Sequence, residues 1–113
     1  MTAKNTLTTA PPYPVEQALK RLGANLRTAR LRRNLTIEDV AEKIGTGPKP
    51  VSDAEKGKPS TSAAVYMALL WAYDLLAPVE GIADPASDRE GLALVSSRER
   101  VRAREATELD DEF

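Results

Sequence analysis

Apolar side chains recur at spacings of three and four along most of this chain, and no stretch alternates at a spacing of two. That period writes helices and leaves no strand to build a sheet. From Val15 to Arg33, Leu19, Leu22, Leu26 and Ala29 form one stripe, which Gly23 weakens in propensity without interrupting. A second helix starts after Thr36, a good N-cap with Asp39 at capping-box distance. Val40, Ala41 and Ile44 form its inner face, and Gly45 is a natural left-handed stop. Next comes GTGPKPVSDAEKGK, where two prolines argue for a loop. Proline is nevertheless accepted in the first helical turn, where its missing N–H has no intrahelical partner. The segment therefore reads as a helix from Pro48 to about Lys56, with Gly47 as cap, Val51 and Ala54 inward and Gly57 as terminator.

Ser62 caps the most helix-prone stretch, Ala63 to Tyr73. Leu75 to Ile82 adds a turn or short helix, Asp84-Pro85 breaks the chain, and Asp88 caps a last helix from about Arg89 to Ser97. The expected fold is all-α, with five or six short helices and flexible termini. Residues 1–14, with Pro11, Pro12 and Pro14, read as a flexible arm. Residues 15–97 read as the folded domain. Residues 98–113 alternate arginines with acids and read as a charged tail, disordered until it meets a partner.

The size, 113 residues, suits one domain with a modest core. The chain contains no cysteine and no histidine. Disulfides, thiol chemistry and the commonest general base and metal ligand are thereby excluded. No catalysis and no cofactor is expected. No apolar run reaches the eighteen or so residues of a membrane helix, and the opening lacks the apolar stretch of a secretory signal. The net charge of -1 conceals a division: Lys20 to Lys58 carries +5, and Pro59 to Phe113 carries -6. A basic front half suits a polyanion, and an acidic rear half suits a different surface.

Helix Ile37–Ile44, a turn at Gly45 and helix Pro48–Lys56 have the dimensions of a helix-turn-helix. The carrying residues are LxxxLRxxR at Leu22 to Arg30, LTxxxVAEKIG at Leu35 to Gly45, VS at Val51 and Ser52, and ExGK at Glu55 to Lys58. Over about Leu22 to Leu75 the chain resembles the lambda-repressor/Cro (XRE) helix-turn-helix family. A narrower resemblance, to HipB-type antitoxins, rests on TSAAVYMALLWAYDL, ADPASDREGLAL, the arginine-rich stretch and the terminal LDDEF. Together they imply a lambda-repressor-like DNA-binding and dimerisation domain in a sequence-specific transcriptional repressor. They further imply a homodimer on a palindromic double-stranded operator, neutralisation of a HipA-like kinase toxin, and a bacterial cytoplasmic, nucleoid-associated setting. A stand-alone regulator without a toxin, and an adaptor that has lost DNA recognition, are the alternatives.

In a helix-turn-helix the second helix enters the major groove with its first turns facing base edges. The resemblance puts contact positions on Pro48, Lys49 and Asp53, with Ile37 opening the preceding helix. Lys49 suits guanine O6/N7 or a phosphate, and Asp53 can accept from cytosine N4. Ser52 and Thr46 are short hydroxyl donors, and Gly47 offers a backbone N–H to phosphate. Lys56 and Lys58 suit the sugar-phosphate chain, and Arg27, Arg32 and Arg33 extend the basic face, although arginines there are most often merely solvated. Ile37 replaces a common glutamine, Pro48 and Pro50 remove donors, and Ala54 is smaller than the usual aliphatic residue. The resemblance implies that Arg30 and Glu55 form a structural ion pair. Trp71 and Tyr73 read as core or dimer-interface aromatics, with Tyr66, Leu70, Tyr73, Leu75 and Leu76 or the segment Ile82–Val95 as interface candidates.

Overall fold

A computed structural model of the chain describes residues 6–112, and their side chains through residue 109. The described residues form six α-helices and two short 3-10 helices, with no strand among them. The α-helices are α1 (Thr6–Thr9), α2 (Tyr13–Arg32), α3 (Ile37–Ile44), α4 (Pro48–Glu55), α5 (Ala63–Ala72) and α6 (Arg89–Glu112); the 3-10 helices span Ala77–Gly81 and Pro85–Ser87. The chain divides into two compact units, Met1–Ala77 and Pro78–Phe113, so the boundary falls inside the span read as one domain.

In the first unit, caps set the helix limits. Thr36 Oγ1 accepts from the Asp39 N–H, and the Asp39 carboxylate accepts from the Thr36 N–H, both at 3.0 Å. This reciprocal pair satisfies two donors that α3 would otherwise leave open. Gly45 ends α3 at φ 84°, a left-handed conformation that costs glycine nothing. Ser62 starts α5 by accepting from the Val65 N–H at 3.3 Å. The core is Leu26 and Ala29 from α2, Val40 and Ala41 from α3, Val51 and Ala54 from α4, Tyr66 and Leu69 from α5, and Tyr73 just after it.

Gly23 has a tertiary role. A Cβ there would lie 2.5 Å from the Ala54 carbonyl oxygen and 2.8 Å from the Gly57 N, and a Cβ on Gly57 would lie 2.5 Å from the Leu19 carbonyl oxygen. Bare backbone on both sides lets α2 touch the end of α4. The buried Ala54, small where a larger aliphatic was expected, belongs to the same seam.

The two ends differ from their sequence expectation. Thr6–Thr9 forms a helical turn, and α2 begins at Tyr13 with Pro14 inside its first turn. Proline there is pre-set for the helix, and Glu16 favours the positive helix start and pairs with Lys20 at 2.8 Å. In the second unit, Asp88 accepts from the Gly91 N–H at 3.0 Å and opens α6, as its cap position implied. The helix then continues past Ser97 to Glu112. Its Arg, Glu, Ala and Leu are strong helix formers, and a helix built on propensity needs no apolar stripe to mark its end. Residues 1–5 of the expected arm, and Phe113 of the expected tail, lie outside the described residues.

Candidate nucleic-acid interface

Helix α4 is held from behind by α2, α3 and α5. Val51 and Ala54 anchor it in the core. Glu55, at its last position, accepts a two-pronged contact from Arg30 of α2: Nε at 2.6 Å and Nη2 at 3.0 Å. Arg30 Nη1 also donates to the Leu35 carbonyl at 2.9 Å, which fixes the approach to α3. Both side chains are under 10 % exposed. The bonds to Glu55 outweigh the desolvation of Arg30 and hold its guanidinium more firmly charged. Arg33 is similarly occupied. It donates to the Ala29 carbonyl at 3.0 Å and the Tyr73 carbonyl at 2.8 Å, and lies over the Tyr73 ring, so it joins the end of α2 to the end of α5.

The opposite side of α4 faces outward. Gly47, Pro48 and Lys49 are exposed at its entrance, and Lys56 and Lys58 are exposed past its end. Gly47 caps the helix without a side-chain hydrogen bond. Pro48 and Pro50 leave Lys49 as the one N–H of the first three helical positions. Thr46, Ser52 and Asp53 are half-buried. Ile37 is half-buried too and packs against the core, which limits what it can offer a groove.

The lysines are linked through Asp53. Lys49 Nζ donates to Asp53 Oδ2 at 2.9 Å, and Lys58 Nζ lies 3.1 Å from Oδ1. Hydrogen bonds from Lys49 first and Lys58 second hold the Asp53 carboxyl below the usual carboxylate range. The i,i+4 spacing of Lys49 and Asp53 was readable as a helical ion pair. The return of Lys58 was not, because it depends on the turn after α4.

Of the interface candidates, Tyr66 and Tyr73 are buried in the chain's own core, and Leu70 packs against it. Trp71, also read as an interface aromatic, is exposed on the outer side of α5 together with Met67, and the candidate Leu75 is exposed just beyond. Lys43 Nζ sits 5.8 Å from the centre of the Trp71 ring. Among the described residues no cluster of side chains suits a metal ion, and no helix is long and apolar enough to cross a membrane.

Comparison with known proteins gave no match to a curated protein or to a solved structure. The family profile described as a helix-turn-helix domain matches residues 21–80, which contain α3, the Gly45 turn, α4, the Arg30–Glu55 pair and the whole of α5. More than half of the chain falls within that match, and the chain belongs to the helix-turn-helix domain family.

Proposed function

We propose that this protein is a sequence-specific transcriptional repressor that reads double-stranded DNA with α4 as a homodimer on a palindromic operator. One observation carries this: α4 is braced from behind by Arg30–Glu55 and the core while its outer face carries exposed lysines. A helix held this way presents a fixed set of donors to a major groove, as helix-turn-helix proteins do. Lys49 contacts base edges or phosphate; Lys56 and Lys58 contact the backbone; Thr46, Gly47, Pro48 and Ser52 line the entrance. Ile37 contributes chiefly by packing. The second copy covers the face formed by Met67, Trp71 and Leu75. Helix α5 has no charged residue in its ten, and an apolar helix normally buries both sides.

The test is selection of a duplex from a randomised pool, then footprinting and titration at several salt concentrations. Lys56→Ala weakens binding to every sequence and lowers the salt slope by about one, whereas Lys49→Ala costs about 1–3 kcal/mol of discrimination at particular base pairs. Sedimentation showing only monomer at tens of micromolar, with and without DNA, removes the dimer.

The antitoxin role, neutralising a HipA-like kinase, is a further part of the proposal and rests only on the resemblance of residues 61–75 and 83–94, the arginine-rich stretch and the terminal LDDEF. Binding to the purified kinase encoded beside the gene tests it. A neighbour of another kind leaves a stand-alone regulator.

A further inference from the structure

Asp53 sits one helical turn after Lys49 on the outer side of α4, and Lys58 returns to it from beyond the helix end. One carboxylate thus receives an ammonium from each end of the reading helix, one on each oxygen. The Asp53 side chain is 18 % exposed, whereas that of Lys49 is 78 % exposed. The arrangement leaves each oxygen a second lone pair but little exposed surface from which to offer it to a cytosine amine. It suits a residue that acts through its partners. We infer that Asp53 is a positioning residue that brackets Lys49 and Lys58 and raises the ratio of operator binding to random-sequence binding by restraining the sequence-independent part. This rests on the DNA-reading role of α4.

An ammonium has three donors. Each lysine spends one on Asp53 and keeps two for a base edge or a phosphate. The bracket leaves Lys49 aimed and short of reach, whereas a released lysine is a flexible point charge that finds phosphate in any register. The three groups together carry +1 instead of the +2 of the lysines alone. Sequence-independent binding follows the number of phosphates neutralised. Asp53 therefore lowers that term everywhere. A matched operator loses less, because Lys49 meets guanine acceptors without leaving the carboxylate.

The experiment compares the full chain with Asp53→Asn on a mixed-sequence duplex and on the duplex that the unaltered chain selects from a randomised pool. Asp53→Asn is expected to bind the mixed duplex severalfold tighter at low salt. Its salt slope steepens by about 0.9 for each lysine that gains a phosphate, and the ratio between the duplexes falls. In a Lys49→Ala background the gain shrinks, because the effect passes through that lysine. Asp53→Glu retains the charge and restores most of the ratio. An equal loss on both duplexes with an unchanged slope, or a loss confined to one base pair, overturns the bracket. An unaltered chain without salt-dependent binding to either duplex overturns the DNA reading itself.

Discussion

At the scale of single residues, two features hold α4 in place by opposite means. Gly23 works by absence. Gly23→Ala gains helix propensity but drives a methyl into the Ala54 carbonyl oxygen. Backbone cannot swing aside as a side chain can, so a net loss of about 1–3 kcal/mol in denaturant unfolding is expected. The Arg30–Glu55 pair works by charge. Glu55→Ala leaves a guanidinium buried without its partner and costs roughly 3–5 kcal/mol, while replacing both by apolar residues of similar volume costs far less. Acid acts on a third place. Hydrogen bonds from Thr36 hold the Asp39 carboxyl below its ordinary 3.8, so its contribution to stability is complete above that value and is lost as pH falls through the lower folded value. Asp39→Asn should flatten that acid limb in thermal melts between neutral pH and pH 2. The Thr36–Asp39 cap was legible from spacing, and the Arg30–Glu55 pair from the family resemblance. Gly23 was legible only as a weak helix residue, because the neighbour that demands glycine lies more than thirty positions away.

At the scale of elements, α3, α4 and α5 were legible almost to the residue, because caps, glycines and prolines mark their limits. The entrance of α4 has no side-chain cap and depends on Pro48 and Pro50 for its rigidity. Pro48→Ala and Pro50→Ala should each retain the fold and cost about 0.4–1 kcal/mol, through a freer unfolded chain. Denaturant midpoints with an unchanged slope check this. The limits of α1 and α6 were less legible for a shared reason. Among the described residues neither has a buried side chain that would print an apolar period on the sequence. In α6 the alternate arginines Arg98, Arg100, Arg102 and Arg104 also split between two sides, Arg98 with Arg102 and Arg100 with Arg104, because residues two apart on a helix point to opposite sides and residues four apart to the same one. The outward side of α4 was readable as lysines, but the return of Lys58 to the Asp53 carboxylate was not.

At the scale of the whole molecule, charge is the organising quantity: +5 over residues 20–58 and -6 over residues 59–113. Deleting residues 105–113 removes Glu105, Glu108, Asp110, Asp111 and Glu112. Operator affinity should then stay unchanged or tighten slightly, while binding to a protein partner weakens if that segment recognises one; titration of the truncated chain against both separates the two. Trp71 has one more consequence. It is the chain's sole tryptophan and stands 56 % exposed beneath a lysine. Its emission therefore reports on one surface without any label. In dilute solution the indole should emit at long wavelength and be quenched by iodide, which the ammonium attracts, more readily than by caesium. If a second copy covers the face as proposed, emission should move to the blue and quenching should fall, so that a concentration series in a cuvette reads out assembly while the lysines around α4 remain untouched.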